Sequence, residues 1–223
     1  MHIEPGVVDG AKILLSSATA LAALGLSAKA SFDAIKNDGL ISLISRSVFT
    51  TLLVFIFFQV LPHYPMGVSE VHFILGSTLF LLFGPAAASI GLGLGLLAQG
   101  VLFAPIDLPQ YGMNITTLLL PLFAMGMIAR RTIARNTAYV NLSYQQAFTL
   151  SLTYQGGIVA WVAFWAFYGQ GFGAENMASV ASFGLAYLSV VLIEPVLDLA
   201  VLAGAKRLHN LKQSGLFEPR LFN

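Results

Sequence analysis

A chain of 223 residues that is 57% hydrophobic and only 9% charged, with a mean hydropathy of +0.81, is an integral membrane protein; soluble domains carry about 25% charged residues. The absence of cysteine excludes disulfides, thiolate metal sites and thiol nucleophiles. A net charge of +1, with few and scattered basic residues, excludes nucleic acid and other polyanionic partners.

The chain starts Met1-His2-Ile3-Glu4-Pro5-Gly6. A histidine second from a free amino terminus can close two fused chelate rings through the terminal amine, the amide between residues 1 and 2, and the imidazole Nδ1. Three nitrogens then lie in one plane with a fourth equatorial position open, a set that suits Ni(II) or Cu(II) and can take Co(II). The plainer reading is a polar residue at a frayed terminus, and position alone favours it. Glu4 and Asp9 before Lys12 spoil the basic region of a cleaved signal peptide, and bulky His2 disfavours removal of Met1. The expectation is therefore a retained first helix and Met1 as the mature terminus.

About 20 apolar residues cross a bilayer. Seven segments qualify in chain order, roughly 8–28, 41–61, 70–83, 85–104, 113–129, 146–168 and 177–203. The third is short and parts from the fourth at Gly84-Pro85, a tight turn or helix break that would make the pair a helical hairpin. Fusing them gives six spans but leaves too many residues for one crossing. The expected fold is all-α: a single membrane domain over 1–223 with a tail from about 204 onward. With seven spans, Lys29, Lys36, Arg46, Arg130, Arg131, Arg135, Lys206, Arg207, Lys212 and Arg220 share one side and only Lys12 lies on the other. Basic loops face the cytoplasm, so the amino terminus is expected outside and the carboxyl terminus inside.

That topology gathers His2, Glu4, Asp9, His63, Glu70, His72, Asp107 and Glu175 on or near the outer face, with His209 cytoplasmic. His72 is read at the start of an apolar helix, where an ionisable group faces a cavity or a partner. Glu194 and Asp198 lie one turn apart in the last span, within reach of Lys206 or Arg207. They read either as a structural ion pair or cap, or as a docking feature. Gly91-Leu92-Gly93-Leu94-Gly95 follows no strand and lacks the Lys-Ser/Thr of a nucleotide loop, so it reads as a helix-packing face. The small residues Ala18, Ala20 and Ala22 are read the same way. Gln99, Asn114, Thr116 and Thr117 are expected to bond between helices, and Asn114 could instead brace a site at the outer face. There is no Walker motif, His-Glu-x-x-His or Gly-x-Ser-x-Gly, so an enzyme has no support.

Met1-His2-Ile3 with Glu4 and Gly6, the stretch Gly67-Val68-Ser69-Glu70-Val71-His72-Phe73-Ile74-Leu75-Gly76, Leu82-Phe83-Gly84-Pro85, Leu97-Ala98-Gln99-Gly100-Val101-Leu102-Phe103 and Tyr111-Gly112-Met113-Asn114 together resemble the CbiM/NikM family. These are the substrate-binding membrane components of energy-coupling-factor transporters for cobalt and nickel. The resemblance covers about the first 130 residues well and the remainder by topology. It implies seven helices and a bacterial or archaeal cytoplasmic membrane. The metal is implied to be held by the Met1 amine, the His2 amide and imidazole, and His72, with Co2+ or Ni2+ as cargo and no catalytic cofactor. The implied partners are a transmembrane coupling subunit, cytosolic ATPases, and in some assemblies a small accessory membrane subunit.

The chain departs from the family pattern in having Glu4-Pro5-Gly6 after Ile3, Glu70-Val71 before His72, and Pro105-Ile106-Asp107 in the loop after the fourth segment. Glu4, Ser69, Glu70, Asp107 and Asn114 are the residues expected around the metal. Glu70 or Asp107 would attract the cation, orient an imidazole or face solvent. Two other functions compete: a scaffold without a metal role, in which His2 and His72 are dispensable, and an intramembrane enzyme, which requires turnover.

Overall fold

The computed structural model describes residue 3, residues 5–207 and residues 215–222. The expectations for Met1, His2, Glu4, His209 and Lys212 fall outside the described residues. Six helices are long and apolar enough to cross a membrane. They are α1 (Ile13–Asp38), α2 (Leu40–Gln59), α3 (Gly76–Leu102), α4 (Tyr111–Thr132), α5 (Tyr144–Gln170) and α6 (Ala174–Arg207). A two-stranded hairpin, β1 (Tyr64–Met66) and β2 (Ser69–Val71), joins α2 to α3. The all-helical membrane class holds. The hairpin, built on short alternating residues around Gly67 (φ 64°), was not legible in the hydropathy.

The two segments predicted on either side of Gly84-Pro85 form one helical element with a break. Gly84 has φ 80° and ψ 165°, a conformation open to glycine, and Pro85 then starts the second arm, where its missing N–H costs no hydrogen bond. Neighbours along α2 give the direction of each arm. The His72 ring packs on Phe58 near the end of α2, whereas Gly84 lies beside Arg46, three turns earlier. Past the break, Thr50 donates to the Ala87 carbonyl at 2.8 Å, Gly95 lies against Val54, and Phe103 meets Phe55 at 5.7 Å. The chain thus runs down α2 to Gly84 and returns beside it. The carbonyls freed at the reversal are satisfied from elsewhere. Leu82 accepts from the Glu218 N–H at 2.8 Å and Phe83 accepts from the Arg46 guanidinium at 3.2 Å.

Arg46 is 1% exposed and also pairs with Asp38 at 2.5 Å and Glu218 at 2.9 Å, so one buried cation ties α1, α2 and the carboxyl-terminal segment to the reversal. Burial pushes the Glu218 carboxyl above its ordinary range, and Arg46 opposes that shift.

The bundle has two chemically different ends. One carries the hairpin, the starts of α1, α4 and α6, and the ends of α2 and α5. There Ser16 touches Gly112, Lys12 donates to the Gly169 carbonyl at 2.9 Å, and Gly67 meets Ser179. The other end holds Arg46, Arg130 and Arg131 in the last turn of α4, Lys206 and Arg207 in the last turn of α6, and Arg220. At this end Ser143 and Gln146 form a reciprocal capping box that starts α5.

In lipid, helices associate through close packing more than through water exclusion. Gly91 and Gly95 let α3 approach the Thr50 and Val54 backbone, as the glycine run suggested. Trp161 donates to the Thr116 hydroxyl at 3.0 Å between α5 and α4, whereas Thr117, among the described residues, donates within its own helix to Met113. Of the small residues on α1, Ala20 packs against the core, but the intramolecular role expected for Ala18 and Ala22 is not found. Both are exposed on α1, which buries only the narrow stripe Ser16, Ala23 and Ser27.

Candidate metal centre

The hairpin end brings Ser69 and Asn114, two of the expected residues, to Ile3. Tyr64 pairs with Val71 and Met66 with Ser69. Ser69 also bridges to Ile3 from the other side, adding one residue of the amino-terminal segment to the sheet. Ile3 is fully buried, and its N–H donates to Asn114 Oδ1 at 2.9 Å. Val7 and Val8 are buried as well, with Val7 against Gly169 at the end of α5. The amino-terminal segment is therefore fixed at Ile3 by β2 on one side and by the first turn of α4 on the other.

His72 follows β2 directly. It does not open a helix, as expected; it lies in the stretch between β2 and α3. The helix starts late because Leu75 takes φ 46°, ψ 44°, the only left-handed non-glycine conformation among the described residues. The His72 ring is 1% exposed. It sits edge-on to Phe58 and stacked on His63, each at 4.9 Å between centroids. Its backbone N–H donates to the Tyr187 hydroxyl, which in turn donates to the His72 carbonyl, both at 3.4 Å. Glu70 Oε2 lies 3.6 Å from His72 Nε2. Ring packing and a clamped backbone fix the imidazole before any ligand arrives.

His63, placed at the outer face by the topology but not among the expected ligands, is a neighbour of His72, as are Phe58 and Tyr187, which the sequence did not mark. His63 Nδ1 lies 3.2 Å from the Leu61 carbonyl, an acceptor only, which assigns the proton to Nδ1. The His63 and His72 planes are only 8° apart. Lone pairs in parallel planes do not converge on one ion, so His63 serves as a wall for His72. Among the described residues, no three His, Asp or Glu side chains gather into a metal-binding group.

Ser69 is fully buried and Asn114 nearly so, both in contact with Ile3. Asp107 lies half-buried on the 3-10 helix Pro105–Gln110 that leads into α4. Glu194 and Asp198 are elsewhere, in the interior of the bundle. The cation expected to pair with them is engaged at the bundle end, where Lys206 donates to Asn141 Oδ1 at 2.8 Å. Among the described residues the two carboxylates meet hydroxyl and amide groups only.

The profile of the CbiM family, described as the cobalt uptake substrate-specific transmembrane region, matches residues 2–210. No curated protein sequence matches the chain. The fold resembles a crystal structure of a transition metal transporter, with TM-score 0.70 and 18% identity over 96% of this chain and 98% of that one. It also resembles a truncated transition metal transporter, with TM-score 0.68 and 18% identity over 93% and 99% of the two chains. At that identity the likeness is one of fold.

Proposed function

This chain belongs to the CbiM family and is a membrane component of transition-metal uptake, and from that premise we propose that it is the substrate-binding subunit of an energy-coupling-factor importer for Co2+ or Ni2+ in a bacterial or archaeal cytoplasmic membrane. The observation that carries this reading is the pinning of Ile3 between Ser69 and Asn114, at the end of the bundle where His72 is buried and immobilised. With Met1 as the mature terminus, the Met1 amine, the His2 amide nitrogen and imidazole, and His72 supply four nitrogens. Such a set favours Ni(II) and accepts Co(II).

Binding displaces protons from the amine and the amide, so affinity falls as pH falls. Glu70 adds negative charge beside His72, offsetting part of the cation's charge and favouring its capture. Passage through the membrane and ATP hydrolysis fall to a transmembrane coupling subunit and cytosolic ATPases.

The test uses purified protein tagged only at the carboxyl end. Ni2+ and Co2+ binding and the visible spectrum are compared for wild type, His2→Ala, His72→Ala and a form with one residue added before Met1. Loss of a chelate nitrogen is expected to cost at least about 100-fold in affinity, in the range of 3 kcal/mol. The extended form keeps every side chain and removes only the amine from its chelating position. If it binds as tightly as wild type, the terminal chelate is wrong, and full activity in both histidine variants would favour the scaffold.

A further inference from the structure

Glu194 and Asp198, both 0% exposed, lie where the first arm of α3 meets α5 and α6. Glu194 Oε1 accepts from the Ser77 N–H at 3.3 Å, and its Oε2 accepts from the Ser151 hydroxyl and the Gln155 amide, each at 2.8 Å. Asp198 accepts from the Ser77 hydroxyl at 2.7 Å and from the Thr78 hydroxyl. One residue, Ser77, thus touches both carboxylates. The titratable groups facing them among the described residues are Tyr154 on α5 and Tyr187 on α6; no cation does. Two like charges held at one site in a membrane interior call for a positive ion between them.

Two further atoms point to the nature of that ion. Gln155 Oε1 and the Tyr154 hydroxyl are buried without a hydrogen-bond partner among the described residues. Gln155 donates to Glu194 through Nε2 while its Oε1 has no donor. The reversed amide would present Oε1 to the same carboxyl oxygen, and only a protonated carboxyl can satisfy it. The reversed orientation of Gln155 is therefore open only when Glu194 is protonated. A proton is the one cation that these groups can bind without a change in their packing.

We propose that Glu194 and Asp198 form a proton-binding site whose occupancy governs the seating of the His72 segment. The connection is short. Residues 72–78 are fastened to α6 at both ends, at His72 by Tyr187 and at Ser77 and Thr78 by the carboxylates. The left-handed Leu75 lies between. A proton taken up from water by the pair removes negative charge from the oxygens that hold Ser77 and Thr78. The lower fastening then weakens and the His72 seat loosens. Metal affinity therefore falls on proton uptake, in addition to the protons displaced at the chelate itself. This linkage rests on the metal-binding reading, whereas the proton site does not.

Infrared difference spectroscopy across a pH titration of metal-free full-length protein reads the proton site directly. The protonated-carboxyl C=O band of wild type is expected to contain a component that is missing in Glu194→Gln/Asp198→Asn, over and above the band of the other carboxyls. Equal bands in the two proteins overturn the proposal whatever the metal data show. The second measurement is the slope of log Ni2+ affinity against pH. The double variant is expected to lose about one proton of slope, a tenfold smaller change in affinity per pH unit. Ser77→Ala/Thr78→Val keeps both carboxyls and removes both hydroxyls that hold Asp198. It is expected to retain that component of the band and lose the same slope, which keeps the test open if the carboxyl variant does not fold. An unchanged slope in Ser77→Ala/Thr78→Val overturns the linkage. Failure of wild type to bind Ni2+ or Co2+ at any pH overturns the metal-binding reading, and the linkage with it, and leaves the infrared result standing.

Discussion

Asn114 makes one hydrogen bond that matters more than its size suggests, because the donor is the N–H of Ile3. Replacing it by leucine conserves volume and leaves that buried N–H without its acceptor, a cost of about 1–1.5 kcal/mol charged against the seated amino terminus. Asn114→Leu is thus expected to weaken Ni2+ binding about tenfold in equilibrium dialysis, and Asn114→Asp, which keeps an acceptor, to restore most of it. Equal affinity in Asn114→Leu and wild type would separate the Ile3 anchor from metal binding. The sequence marks His72 and Asn114 because polar residues bordering apolar runs are conspicuous. It marks Ile3 as part of a motif and gives no sign that its contribution is its backbone. Nor does it single out Tyr187, whose hydroxyl meets His72 across 115 positions of chain.

The packing of α2 against α3 is an element-scale counterpart. A Cβ on Gly91 would overlap Thr50, and one on Gly95 would lie 2.5 Å from Val54 Cγ1 and 3.2 Å from the Phe55 nitrogen. Neither backbone can retreat without separating the helices, so Gly91→Ala and Gly95→Ala are each expected to destabilise by about 1–3 kcal/mol. Gly25 on α1 has open space around its Cβ position, and Gly25→Ala is expected to be neutral or stabilising by up to about 1 kcal/mol. Thermal unfolding in detergent orders the three. A Gly25→Ala loss as large as that of Gly91→Ala would mean that general helix effects, not contact, set the result. The glycine run is legible because its spacing repeats every helical turn. The exposed alanines of α1 have a similar spacing and mislead, since small residues report that a close approach is permitted, not that one is made. The late start of α3 was hidden for a related reason. Phe73, Ile74 and Leu75 suit a buried extended stretch as well as a helix, and hydropathy does not separate the two.

Over the whole molecule, the reversal at Gly84 decides how loops distribute between the two sides of the membrane, and it can be tested by parity. Between Asn37 and Asn136 the chain runs through α2, both arms of α3 and α4. Between Pro65 and Gly173 it runs through both arms of α3, α4 and α5. With the reversal, each pair is separated by four crossings and shares a side; with a single crossing for α3, each pair would be split. The absence of cysteine makes the native protein a ready background for single-cysteine labelling, and all four positions are exposed. The basic end of the bundle sets the expected direction. Pro65→Cys and Gly173→Cys should react with a membrane-impermeant maleimide in intact cells, and Asn37→Cys and Asn136→Cys only after permeabilisation. A pair split between the two conditions would remove the reversal at Gly84. Intact pairs with the opposite accessibility would keep the reversal and turn the His72 end towards the cytoplasm, which would overturn the proposed capture of a metal from outside.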